Sequence, residues 1–244
     1  MRLSGFINEG VVSRRDEWNF DEVLDLLKKM DRSDPVLWKG WSKRSDFHGS
    51  GWMVKVKSDR EGFRGSFLPS AERVIEKLDL PGSPVFTTTD LPHSAFFGTP
   101  YVFIPIGPFT TFYNPEIWDL AQVKRNDNLW KSVDDDKINQ VVGGYKVSNK
   151  IPDGAKGEVI VIVDYYWLLS VGSLINETKG KLKIISNTRE VKKYGDVIEV
   201  MENYLKFYRW KLKKQIENDP AFIRVIRTWN IPKEWIRELE AIAG

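Results

Sequence analysis

The chain has 244 residues, of which 41% are hydrophobic and 13% aromatic, and its formal net charge is +3. That is material for one large domain or two small ones, and the total charge is too small to argue for nucleic acid or membrane by itself. Cysteine is absent, which excludes disulfides, thiolate metal sites and a cysteine nucleophile, and suits a reducing compartment. No stretch approaches the ~18 consecutive apolar residues of a membrane span. The first ten residues, MRLSGFINEG, carry no apolar run before a small-residue cleavage site. A soluble, cytoplasmic protein without a membrane partner is the expectation.

In chain order, Asn19, Asp21 and Glu22 mark a helix start, with Glu22 at the capping-box position. Val23, Leu24, Leu26, Leu27 and Met30 give that helix its apolar face, and Asp34-Pro35 ends it. Pro35 to Trp38 reads as a short strand running into a turn at Lys39-Gly40, and Trp52 to Lys57 alternates like a second strand. The pattern predicts a helix over Ser70 to Leu78 with Ser70 as N-cap, then strands at 84–88 and 101–106. Asn114-Pro115-Glu116 opens a helical turn through Ile117, Trp118 and Leu120, and the polar stretch 124–156 reads as helix plus loops. Glu158 to Leu169, EVIVIVDYYWLL, is the strongest strand candidate, a continuous run rich in Val, Ile and Tyr that suits a buried strand. Leu182 to Ile185 is another. From Val197 onward the chain reads as helices: one over about 197–217, one from Asp219-Pro220, and one from Pro232 at a first-turn position. Strands in the middle and helices at the ends predict an α+β fold, with a core over 1–196 and a C-terminal helical segment over 197–244 packed on it.

Three hydroxyls, Thr87, Thr88 and Thr89, stand at the exit of the strand at 84–88. Threonine suits strands, and Thr89 or Asp90 would cap a helix over 91–97. On the sharper reading the hydroxyls face a ligand, and the order of features around them supports it. PVLWKGW precedes them, with a second basic version, GFRGSF, at Gly62 to Phe67; VFTTTD is followed by SAFFGTPYVFIP and NPEIWDL; then comes the strand opened by Lys156-Gly157-Glu158. A cation on one strand, hydroxyls on a second and a glutamate on a third resembles the ADP-ribosyltransferases of the Arg-Ser-Glu type, including phage-encoded members. The resemblance covers roughly residues 35 to 169.

What the resemblance implies is an ADP-ribosyltransferase-like split sheet and an NAD-dependent mono-ADP-ribosyltransferase, virus-encoded and acting on a host protein or nucleic acid. Cleaving the nicotinamide–ribose bond passes through an oxocarbenium-like state that a carboxylate stabilises. Glu158 takes that role and Thr87 orients it. Thr89 joins Thr87 in orienting the bound ribose, Thr88 contacts the cofactor, Lys39 or Arg64 holds the pyrophosphate, and Trp38 or Tyr101 lines the nicotinamide slot. NAD is the expected cofactor, with no metal. Lysine at 39 stands where that type has arginine, threonine where it has serine, and Lys156, two residues before Glu158, where many members have Glu or Gln. The alternative is therefore a catalytically inactive member of the fold serving as a virion or interaction protein.

Two other features carry separate readings. Asp134-Asp135-Asp136 reads as a solvated helix start rather than a metal site, and His93, beside proline, reads as a surface turn residue. KFYRWKLKK, with Lys206, Arg209, Lys211, Lys213 and Lys214, is either an amphipathic helix or a nucleic-acid or partner contact.

Overall fold

A computed structural model describes residues 20–41, 53–58, 69–82, 84–118, 135–153, 155–178, 185, 187–229 and 231–244. Arg64, the GFRGSF segment, His48, Asn19, Leu120, Asp134 and Leu182 to Ile184 lie outside them. The fold is α+β, and every described strand ladder is antiparallel. The chain divides into two compact units, Ser33–Arg44 with Val54–Leu169, and Met1–Arg32 with Ser45–Met53 and Ser170–Gly244. The 196/197 boundary expected from sequence falls inside a helix, Tyr194–Asn218.

The first unit is built on a sheet. Its strands are β1 (Trp38–Trp41), β2 (Met53–Lys57), β3 (Pro84–Thr88), β4 (Thr99–Ile106), β5 (Thr110–Tyr113), β6 (Lys146–Ser148), β7 (Glu158–Ile162) and β8 (Tyr165–Leu169), in the spatial order β2-β8-β4-β1-β3-β7-β5-β6. Two corrections to the sequence reading follow. Lys39-Gly40 is not a turn: both lie within β1, because Tyr101 and Pro100 of β4 take them into a ladder. And EVIVIVDYYWLL is not one strand. Val163-Asp164 breaks it into β7, which pairs β3 and β5, and β8, which pairs β4. Apolarity is continuous across that break, so composition alone gives no sign of it.

The eight strands form two halves. β1 runs beside β4 over four residue pairs, and β3 beside β7 over five, but β1 meets β3 at a single pair, Trp38 opposite Thr88. Within the ladder of β3 and β7, Phe86 faces Ile160, and Phe112 of β5 also faces Ile160. Alternation puts these on one side of the sheet. There they pack with Val74 of α2 (Pro69–Leu78) and Ile138 of α4 (Asp135–Gly143) into one core cluster. α2 begins one residue before the expected cap, at Pro69, a first-turn place where proline's missing N–H is no loss. Asp135 opens α4 and pairs with Arg73 at 2.5 Å and Lys77 at 3.4 Å. Those cations hold its carboxyl below the usual range.

The second unit is helical: α1 (Phe20–Lys29), α5 (Val171–Thr178), α6 (Tyr194–Asn218), α7 (Ile223–Ile226) and α8 (Lys233–Ala243). Phe20, Val23, Leu24 and Leu27 form the buried face of α1, and Phe20 stacks on Tyr204 of α6 at 5.3 Å. The α6 N-terminus is closed by Asp196, which accepts from the backbone N–H of Lys192 and of Lys193.

Candidate functional site

The one pair that joins the two halves of the sheet lies in a longer row. Leu169, Val102, Trp38, Thr88 and Glu158 follow one another across β8, β4, β1, β3 and β7 as directly opposed residues. Opposed residues have Cβ atoms about 4.5–5.5 Å apart, so Thr88 is the hydroxyl-bearing residue beside Glu158. The three strands expected to carry cation, hydroxyl and carboxylate are thus neighbours, although 47 residues separate Lys39 from Phe86.

The hydroxyl triplet divides into three different jobs. Thr87 is opposite Val159, one residue out of step with Glu158, so its side chain lies on the other face of the β3–β7 ladder. It is buried, and its hydroxyl donates to the Val159 carbonyl at 2.7 Å. Thr87 and Glu158 do not come together. Thr89 donates to the Ala155 carbonyl at 3.0 Å and accepts from the Gly157 N–H at 3.2 Å, while its own N–H donates to the Gly157 carbonyl. Thr88, also buried, accepts from the Asp90 N–H at 3.1 Å. That bond caps the chain as it leaves β3; Asp90, the N-cap of the turn that follows, makes no side-chain cap bond.

Glu158 sits at the first position of β7, on an inner strand of the sheet. It is half-buried, and its Oε1 is shielded from solvent. Its backbone is fixed by the N–H bond to the Trp118 carbonyl at 2.8 Å. Just before it, Gly157 has φ +96°, and an added Cβ would lie 2.2 Å from the Trp118 carbonyl oxygen. Only glycine serves there.

Lys39 extends from β1 across the place where the halves part, and its Nζ donates to the Phe86 carbonyl of β3 at 3.3 Å. Burial pushes its pKa down to about 8. On β4 it is registered with Tyr101, which is buried and whose phenol is pushed up by desolvation. Trp38, one residue earlier, is buried in the joining pair itself. Gly40 follows. A Cβ there would lie 2.1 Å from the Ser94 carbonyl oxygen and 2.7 Å from Phe97 Cβ. The glycine therefore lets α3 (Leu91–Ser94) and the 3-10 turn Ala95–Phe97 rest directly on β1.

That turn corrects another expectation. His93 is buried, not a surface residue, and stands edge-on to Phe97 with ring centroids 5.2 Å apart. The rings in front of it are the exposed ones, Phe96 at 73% and Phe97 at 48%. Trp118, beside the start of β7, is 46% exposed. Sequence reading assigns these three aromatics no part in the site. Their adjacency to the hydroxyl and glutamate motifs is the available signal.

On α6 the basic cluster is largely neutralised within its own unit. Arg209 and Lys213 both pair with Glu238, Arg209 also lies over Trp235, Lys211 pairs with Glu177 at 3.6 Å, and Lys214 with Glu217 at 2.7 Å. Lys206 alone of the five makes no ion pair among the described residues. Phe207, Tyr204 and Tyr208 are buried while Trp210 is 51% exposed, an amphipathic helix with one ring outside. No helix among the described residues is long and apolar enough to cross a membrane. No family model, curated protein or solved structure matches the chain.

Proposed function

We propose that the joint of the sheet is an NAD site of the ADP-ribosyltransferase kind, with Glu158 as the carboxylate that stabilises the ribosyl cation. The row Trp38–Thr88–Glu158 carries this reading, since it brings aromatic, hydroxyl and carboxylate together from three strands distant in sequence. A nicotinamide dinucleotide needs a carboxylate at its ribose, a cation at its pyrophosphate and aromatic surface at its ring. Glu158 and Trp38 stand in one row for the ribose and the ring, while Lys39, one residue out of step with Trp38, lies on the other face of β1; there it offers a point-charge ammonium in place of a two-point guanidinium. In the reaction the bond from ribose C1′ to the pyridinium nitrogen breaks, nicotinamide leaves neutral, and an acceptor's lone pair attacks C1′. Glu158 balances the positive charge that develops on the ring oxygen and C1′. Thr88, not Thr87, is the hydroxyl-bearing neighbour of that carboxylate. The acceptor class, a host protein or nucleic acid, and a viral source belong to this proposal.

A second reading keeps the sheet and drops the chemistry, leaving an interaction or virion component. It is favoured by one observation: the hydroxyls of Thr87 and Thr89 are bonded to backbone, and the Lys39 ammonium to the Phe86 carbonyl. Purified protein mixed with NAD and followed by proton NMR separates the two. Nicotinamide released by the wild type and at least 100-fold more slowly by Glu158→Gln is the expected result. Release at equal rates by both proteins overturns the role of Glu158. The absence of both ring-signal perturbation and release supports the second reading.

A further inference from the structure

Trp118 and Trp210 are the exposed tryptophans among the described residues, and each stands beside an exposed charge that makes no ion pair there. Trp118 belongs to the first unit and ends a turn organised by Asn114. That residue is buried, and its amide donates to the Val141 carbonyl at 3.0 Å. Its side-chain oxygen accepts from the Glu116 N–H at 3.0 Å and its carbonyl from the Ile117 N–H at 3.2 Å. The Trp118 carbonyl is in turn held by the Glu158 N–H, so the turn is fixed at both ends. Glu116 is exposed, and its carboxylate has no cation among the described residues. Asp153 and Lys156, exposed in the segment before β7, offset one another. The surroundings of this ring are therefore acidic.

Trp210 belongs to the second unit, on α6, and its surroundings have the opposite sign. Its ring stacks on buried Phe207 with centroids 5.9 Å apart. Lys206 and Lys214 are exposed one turn to either side, about 6 Å along the axis. Lys206 makes no ion pair among the described residues, and Lys214 pairs only with Glu217 of its own helix, an exposed contact worth little. Exposed Glu199 and Glu217 bound this basic stretch along α6. Its shortness suits a compact acidic patch rather than a long polyanion. Charge and ring are also spaced alike on the two surfaces. Glu116 and Trp118 are two residues apart, at most about 7 Å, and Lys206 and Trp210 are one helical turn apart.

We propose that this chain associates with itself head to tail, the Glu116–Trp118 turn of one copy docking on the Lys206–Trp210–Lys214 row of the next. Indole packs on indole, and the Glu116 carboxylate meets the Lys206 ammonium. The two surfaces differ, so a dimer still carries one free surface of each kind and association continues unless a ring closes. Two indoles bury about 300–500 Å² in all, well under the ~1,200 Å² of a stable complex. The contact is accordingly weak and weakens further with salt. It requires no chemistry at Glu158.

Sedimentation equilibrium of the full chain at rising concentration, up to about 200 µM, tests this. The wild type should associate reversibly at about 50 mM salt, at least fivefold more tightly than at about 500 mM. Glu116→Lys and Lys206→Glu, both exposed positions, should each weaken association at least fivefold, because each variant sets like charges on its two surfaces. Their equimolar mixture should restore it, since the first variant keeps Lys206 and the second keeps Glu116. A wild type that stays monomeric over the whole range overturns the proposal and leaves the two rings to other partners. Association that survives either reversal, or that mixing does not restore, overturns it as well. Neither result bears on nicotinamide release from NAD, which is read separately.

Discussion

The half-buried lysine of β1, Lys39, has a thermodynamic consequence. Its folded pKa of about 8 lies below the ordinary value of 10.5. Between those values the unfolded chain binds more protons than the folded one, so stability rises with pH across that window. Below pH 8 the full penalty for burying the charge is present, about 3 kcal/mol at most. Lys39→Met should therefore stabilise the protein at pH 7 and lose that advantage by pH 11, as read from urea midpoints at the two pH values. A stabilisation that is the same at both would contradict a buried ammonium as the cause. Thr87 allows a second test at this scale. Thr87→Val keeps the shape and removes the bond to the Val159 carbonyl, which should cost about 1 kcal/mol. It should leave NAD cleavage untouched, whereas Thr88→Val should slow it. The reverse ranking would move the site to the other face of the ladder.

At the scale of elements, β1 shows why local pattern misreads a functional strand. WKGW contains a glycine after a lysine, an ordinary turn signal. Glycine is present for another reason: the Ser94 carbonyl and Phe97 lie where a Cβ would be. Gly40→Ala forces that turn away from the sheet and should cost about 1–3 kcal/mol in denaturant unfolding. A neutral result would mean the turn is not seated on β1. Helix α6 misleads in the opposite sense, because its run of lysines and arginine has the look of an open patch. Their partners Glu177 and Glu238 come from other helices, α5 and α8, and spacing along α6 carries no information about them. Four cations paired with three carboxylates leave little to release counterions. Affinity for single-stranded DNA should stay at or below the non-specific range, Kd about 10⁻⁴–10⁻⁶ M at physiological salt, with a shallow salt slope. A steep slope measured by fluorescence anisotropy would reopen the nucleic-acid reading.

For the molecule as a whole, what the sequence made legible was local. The apolar runs at 84–88 and 158–162, the hydroxyl triplet and the glutamate after Gly157 were all visible, and so was the helical C-terminal stretch. The partners were not. That Thr88 rather than Thr87 opposes Glu158 is a matter of register, and a shift of one residue reverses every side chain between faces. The break at Val163-Asp164 was hidden because both flanking runs are buried, and a buried strand shows no alternation to interrupt. The role of Trp118 was hidden for a similar reason: it acts through its carbonyl, which any residue possesses.

The ladder of β3 and β7 joins Thr88 to Glu158 across a stretch of chain that contains β4, β5, α4 and β6. Local hairpins zip early, but this pairing must first close a long loop, and its entropy has to be met before any contact compensates. The half of the sheet that this ladder holds together is accordingly among the last features to form during folding. A chain released from the ribosome would hold its local helices before it held its glutamate in place, so any chemistry at Glu158 is withheld until that ladder has closed.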